Sequence, residues 1–187
     1  MEENILLKIQ KGDKQACRAI IEKYKNQVYS LAFRILNNKE DAEEVAQDSF
    51  LKAFKSLASF NGNAKFSTWL YRITYNSAIS KTRKRQLQYH PIYEINEFNL
   101  PVEEFELTLK YIRLEDQRKF LEKALSKLPP DDKALINFYY IEEQSLEEIA
   151  QITGLTKGNI KVKIFRIRKI LYNNLSSLLD KEMFELI

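Results

Sequence analysis

Between Lys14 and Leu36, Cys17, Ile20, Ile21, Tyr24, Val28, Leu31 and Ile35 recur every three or four residues, the period of a helix that buries one face. The pattern restarts after Asn38, a candidate N-cap followed by Glu40 and Asp41, acids that the helix dipole favours in a first turn. The stripe Ala42, Val45, Ala46, Ser49, Phe50, Ala53 and Leu57 predicts the helix that follows. A polar loop, Phe60-Asn-Gly-Asn-Ala-Lys-Phe66, separates it from a third helix starting at about Ser67. That helix turns Trp69, Leu70, Ile73 and Ser77 inward and runs into Lys81, Arg83, Lys84 and Arg85.

Further on, Phe120, Ala124, Leu125 and Leu128 mark a helix halted by Pro129-Pro130, and Asp131 and Asp132 open another that carries Leu135, Ile136, Phe138 and Tyr139. Ser145-Leu-Glu-Glu148 has the form of a capping box, so a short helix runs from Leu146 to about Thr153. Gly154 suits the left-handed residue that closes it, and a last helix extends from near Thr156 to about Leu179. The expected fold is all-α, in two small helical domains.

Composition narrows the options. Four glycines and four prolines in 187 residues are too few for a β fold of tight turns or for a glycine-rich phosphate loop. One cysteine and one histidine, Cys17 and His90, exclude an intramolecular disulfide, a Cys/His zinc site and a His-rich metal centre. Cys17 reads as a small core residue. Met1 to Lys8 places acids where a signal peptide needs bases, and no later run approaches the roughly 18 apolar residues of a membrane span. A cytoplasmic chain without membrane insertion is expected.

Net charge is +4, unevenly spread: +7 over residues 1–89, −5 over 90–117 and +2 over 118–187. These blocks define a first domain at 1–89, a linker at 90–117 and a second domain at 118–187. The linker begins at His90-Pro91, contains Pro101 and carries Glu94, Glu97, Glu103, Glu104 and Glu106, acids that read as a solvated connector. From Ile149 to Leu179 there is no acid, while Lys157, Lys161, Lys163, Arg166, Arg168 and Lys169 line up along the last helix. Such a stripe attracts a phosphate backbone, although a basic helix also suits a membrane surface or plain solvent.

Two constellations favour nucleic acid. Ala150, Gly154 four residues on, and Ile160 six residues after that glycine fit a helix-turn-helix, with the helix bearing Lys157, Asn159, Lys161, Lys163, Phe165, Arg166 and Lys169 in the major groove. An αα-hairpin with the same spacing is the plain alternative. In the first block Phe60, Lys65, Phe66, Trp69, Tyr71, Arg72 and Tyr75 interleave rings with cations, a pattern for stacking unpaired bases, although Phe66 and Trp69 also read as core. Asn76, two turns after Trp69, reads a base edge if it faces outward.

Asp41-Ala-Glu-Glu-Val-Ala-Gln-Asp-Ser-Phe-Leu-Lys-Ala-Phe54 and Phe66-Ser-Thr-Trp-Leu-Tyr-Arg-Ile-Thr-Tyr-Asn76 together resemble region 2 of bacterial extracytoplasmic-function (ECF) sigma factors. The stretch from Leu128-Pro-Pro to Gly154-Leu-Thr-Lys-Gly-Asn-Ile-Lys-Val-Lys-Ile-Phe-Arg-Ile-Arg168 resembles their region 4. The resemblance implies a dissociable subunit, with no catalysis and no cofactor of its own, that binds core RNA polymerase and directs it to promoter DNA, both duplex and melted. Asp41, Glu44, Gln47, Asp48 and Leu51 would dock on the clamp coiled coil of the polymerase's largest subunit. The loop Phe60, Asn61, Gly62, Asn63, Ala64, Lys65, Phe66 and Ser67, with Arg72, Asn76 and Arg83, would engage the minus-10 element and hold a flipped base. Trp69 would be chiefly structural.

Lys161, Val162, Phe165 and Arg166 would face the minus-35 element, with phosphate contacts from Lys157, Lys163 and Lys169. Many relatives have Gly-Thr-Val-Lys-Ser where this chain has Gly158-Asn-Ile-Lys-Val162, so a valine replaces a small polar group there. The acidic linker would thread the polymerase's RNA exit path. With no appended sensing domain, the resemblance points to control by an anti-sigma factor, often membrane-bound, and to no small-molecule substrate. Two alternatives stand beside this reading: a stand-alone helix-turn-helix regulator, and a metal-dependent nuclease using Asp41, Glu44 and Asp48.

Overall fold

The computed structural model describes residues 2–86 and 114–185, which contain eight α-helices and no strand. In chain order they are α1 (Glu2–Gln10), α2 (Lys14–Leu36), α3 (Lys39–Ser56), α4 (Phe66–Gln86), α5 (Leu114–Ser126), α6 (Pro130–Ile136), α7 (Leu146–Thr153) and α8 (Lys157–Glu185). The acidic stretch from Glu94 to Glu106 lies outside the described residues. Helix α5 begins four residues ahead of the expected boundary at 118.

Local chemistry sets the helix ends. Asp13 accepts hydrogen bonds from the amides of Gln15 and Ala16 at 2.8 and 3.1 Å, which starts α2. Asn37 takes a left-handed conformation (φ 50°) to close that helix, and Asn38 accepts the amide of Asp41 at 2.8 Å to open α3. Two adjacent asparagines thus turn the chain with no intervening loop.

The first core gathers Leu6 and Ile9 of α1, Ile20, Tyr24 and Val28 of α2, Phe50 and Ala53 of α3, and Phe66 and Leu70 of α4. Helix α1 has no counterpart among the expected elements, because its apolar positions are too few to establish a period over nine residues. Trp69, Ile73 and Ser77, expected inside, are only half-buried.

A second core is shared by both domains. Tyr71, Tyr75, Ala78 and Ile79 of α4 and Leu31 and Ile35 of α2 join Leu135, Phe138, Ile149 and Ile152 in one buried cluster. Phe138 is fully buried, with its ring 6.3 Å from that of Tyr71 and 6.2 Å from that of Tyr75. The tyrosine hydroxyls are matched across the seam: Tyr71 Oη donates to Glu142 Oε2 at 3.0 Å and Tyr75 Oη to Asp131 Oδ1 at 2.7 Å. Burial raises both phenol pKa values, so the hydroxyls stay protonated as donors.

The seam corrects the expectation that Tyr71 and Tyr75 offer faces to unpaired bases. Helix α4 is buried on two sides, by its own domain and by the second one, and two such stripes blur the single-face pattern from which its inner side was inferred.

Helices α7 and α8 form the turn that the spacing predicts. Ser145 Oγ accepts the Glu148 amide at 3.2 Å, and Glu148 Oε2 accepts the Ser145 amide at 2.9 Å, completing the capping box. Gly154 closes α7 at φ 76°, its amide bonded to the Ala150 carbonyl at 2.9 Å. Nothing crowds a Cβ at that position, so Gly154→Ala tests backbone strain alone. It is expected to cost about 1 kcal/mol, seen as a lower urea midpoint with unchanged slope.

Candidate nucleic-acid interface

Three surfaces carry the residues singled out in the sequence. The first is the outward side of α3, where Glu44, Gln47, Asp48 and Leu51 are exposed, Leu51 at 56%. Leu51 thus stands as an exposed apolar side chain on a face that is otherwise polar and charged. Asp41 departs from this set: its carboxylate turns back to pair with Lys81 of α4 at 3.0 Å. Lys81 also reaches Glu44 at 2.6 Å, and that hydrogen bond holds its ammonium pKa above the ordinary lysine value. An ammonium shared by Asp41 and Glu44 occupies the place between them where a nuclease would need its divalent cation.

The second surface is the Phe60–Ser67 loop and the exposed side of α4. An aromatic cluster floors the loop: Phe60 lies 5.2 Å from Trp69 and 5.8 Å from Phe66, and Phe66 lies 5.8 Å from both Trp69 and Tyr24. Phe66 is 2% exposed, so its ring supports the loop from beneath and takes no part in its surface. Asn61, Gly62, Asn63 and Lys65 are exposed, and Ala64 and Ser67 half-buried. Gly62 has φ 74°, a left-handed turn residue beside the 3.2 Å bond from the Asn63 amide to Asn61 Oδ1.

Arg72, Asn76 and Arg83 are exposed on α4, and Asn76 lines a groove between α3 and α4 with Val45, Asp48, Ile73 and Ser77. The charged outward face of α3 and the exposed asparagine thus border one groove. Lys65 pairs with Glu148 of the second domain at 2.8 Å, and this lowers the Glu148 pKa below the usual carboxylate value.

The third surface is the solvent side of α8. Ile160, Ile164 and Ile167 pack inward, which turns Lys161, Val162, Phe165, Arg166 and Lys169 outward. Phe165 is 69% exposed and Val162 49%, an apolar pair flanked by cations. Lys157 is exposed and paired with Glu147 of α7. Lys163 is half-buried, held by Asp132 at 3.1 Å.

Sequence reasoning gave Asp132 only a helix-opening part and missed its hold on Lys163, and it missed Tyr140, which accepts a hydrogen bond from Arg168 and lies under its guanidinium at 5.4 Å. Each pair joins residues about thirty positions apart, beyond the reach of helical spacing. No group of acids, histidines or cysteines among the described residues could hold a metal ion, and no helix of theirs is long and apolar enough to cross a membrane.

Residues 20–88 match the family model described as Sigma-70 region 2, and residues 121–171 match Sigma-70, region 4. The chain is 34% identical to the ECF RNA polymerase sigma factor SigW of Bacillus subtilis, over 91% of this chain and 94% of that one. The chain belongs to the ECF RNA polymerase sigma factors.

Other relatives span this sigma factor just as fully. The RNA polymerase sigma-H factor of Pseudomonas aeruginosa is 27% identical, covering 95% of each chain. The ECF RNA polymerase sigma-E factor of Escherichia coli K12 is 28% identical, covering 96% of this chain and 97% of its own. The fold agrees with two solved structures. One is the sigma factor RpoE of Bartonella quintana in complex with the anti-sigma factor NepR, with TM-score 0.63, 24% identity and coverage of 85% and 96%. The other is CnrH in complex with the cytosolic domain of CnrY, with TM-score 0.62, 20% identity and coverage of 96% and 97%. The two family-model segments lie within the two helical domains that charge and spacing marked out.

Proposed function

We propose that this sigma factor docks on core RNA polymerase through Glu44, Gln47, Asp48 and Leu51 and delivers it to promoters read at two elements. The solvent side of α8 carries the reading. Lys161 and Arg166 flank an exposed Val162 and Phe165, a set able to meet guanine edges, phosphates and thymine methyls in a major groove. Lys157, Lys163 and Lys169 add phosphate contacts on either side of it.

The minus-10 element falls to the Phe60–Ser67 loop, with Arg72 and Arg83 on the strand's phosphates and Asn76 beside an unstacked base. Capturing that base converts binding energy into melting. Polymerase performs the synthesis, and the sigma factor supplies specificity. Both solved structures that share this fold hold a partner chain, and one of those partners is named an anti-sigma factor, so we infer an anti-sigma partner here as well.

A mobility-shift experiment on promoter duplexes tests the reading. Core polymerase with this sigma factor is expected to retain a duplex bearing both elements and to release one lacking either, while core alone makes no such distinction. Asn76→Ala, on an exposed helix position, is expected to leave folding unchanged and to relax discrimination at one minus-10 base about tenfold, a single lost base contact. Open-complex lifetimes on templates mutated one base at a time check this.

A further inference from the structure

Apart from the three surfaces, a cavity of about 430 Å³ opens between α2 on one side and α5 and α6 on the other. Its size falls within the span of small-molecule sites, about 300–1,000 Å³. Much of the lining is apolar. Tyr29 and Phe33, their rings stacked at 6.0 Å and 12°, stand on the α2 side, and Leu125 of α5 and Ile136 of α6 on the other. Such walls accept a flat ring.

Two polar groups in the lining lack the partners their burial calls for. Asn137 is 1% exposed, and neither its amide nitrogen nor its side-chain oxygen finds a hydrogen-bond partner among the described residues. Folded proteins leave few such groups, and each one asks for a physical reason. Lys133 is half-buried and makes no ion pair among the described residues, and burial alone holds its ammonium below the ordinary lysine pKa. The backbone is irregular at the same place. The chain leaves α6 through a single π turn, Asn137–Ile141, in which the Glu142 amide donates to the Asn137 carbonyl at 3.0 Å. Turns of this kind are frequent at functional sites.

Charge narrows the ligand. Arg34 and Lys133 are the cations of the lining and Glu122 its one acid, so the site carries one net positive charge. That balances a monoanion, whereas a phosphate dianion brings one charge too many and meets Glu122. The Asn137 side chain is donor and acceptor together and pairs with a group of the same kind.

We propose that this cavity binds a small organic monocarboxylate, with an aromatic ring for the Tyr29 and Phe33 side, a carboxylate for Lys133 and Arg34, and an amide for Asn137. N-acylated aromatic amino acids have that make-up. The ligand touches residues of both domains and binds only the folded chain, so it raises the unfolding midpoint.

The test is saturation-transfer NMR and thermal unfolding of the full chain, with N-acetylphenylalanine as the probe. Its roughly 15 non-hydrogen atoms are expected to give a Kd of about 0.5 mM or tighter, with an upward shift of the midpoint. Its methyl ester, which keeps the ring and the amide, and phenyl phosphate are each expected to bind about tenfold more weakly or worse. Lys133→Met removes the charge, and Asn137→Leu removes the amide and keeps the branching; each is expected to weaken the probe about tenfold. Asn137→Leu is also expected to raise the midpoint of the free protein, because an amide without partners gives way to an apolar group of similar shape.

No binding at about ten times the expected Kd would overturn the proposal. Equal binding of the ester, or equal binding by both variants, would mark adsorption on apolar surface and would overturn it as well. A lower midpoint for Asn137→Leu would show the amide to be structural, with the same consequence. The measurement needs neither polymerase nor DNA, so its outcome is independent of the sigma-factor reading.

Discussion

Leu51→Glu is expected to lower the affinity of the sigma factor for core polymerase at least 30-fold while leaving its fold intact. Leu51 is 56% exposed at the centre of the face formed by Glu44, Gln47 and Asp48, so the substitution costs no buried contact, and glutamate is as good a helix former as leucine. An apolar anchor at the middle of an interface is worth about 2 kcal/mol or more, and a carboxylate there also brings a desolvation cost. Competition of unlabelled variant against labelled wild type for core reads the effect directly. Equal competition would remove α3 from the docking surface. Asp41→Asn is expected to be mild by comparison, because that carboxylate is mostly shielded from a partner, 17% exposed against 66% for Glu44.

The second large effect concerns α8. Lys161→Ala/Arg166→Ala removes two exposed cations beside Phe165, and no buried group depends on either. Each contact to a base edge or phosphate contributes on the order of 1–3 kcal/mol, so together they should weaken binding to a minus-35 duplex about 100-fold. If both cations neutralise phosphates, the slope of log affinity against log salt flattens by about two. If Arg166 reads a guanine instead, the slope changes by about one and discrimination at that base is lost. An unchanged slope and unchanged affinity would take α8 out of the DNA interface.

What the sequence discloses divides along physical lines. Features written over a few residues were legible: the Asn38 cap, the Ser145–Glu148 capping box, the Gly154 turn and the buried Ile160 of the helix-turn-helix spacing. These follow from hydrogen-bond chemistry and helical period, which act at short range. Three things were not legible. Helix α1 is too short for its period to register. Asp41 looked equivalent to Glu44 and Asp48, yet its side chain is 17% exposed against 66% for Glu44, although both meet Lys81, about 40 residues away. The seam depends on side chains 56 and 71 residues apart, and nothing local tells a tyrosine bound for an interface from one that stacks a base. The candidate site was therefore readable as a set of exposed residues, but not as surfaces in contact with one another.

The most direct test of the account is run-off transcription from a library of promoter sequences by core RNA polymerase, with and without this protein. The account predicts transcripts that require the protein and that share two upstream elements, the downstream one sensitive to Asn76→Ala and the upstream one to Lys161→Ala/Arg166→Ala. Core that gains no promoter-specific initiation, while the protein alone selects a duplex operator, would contradict it and would leave a stand-alone helix-turn-helix regulator in its place.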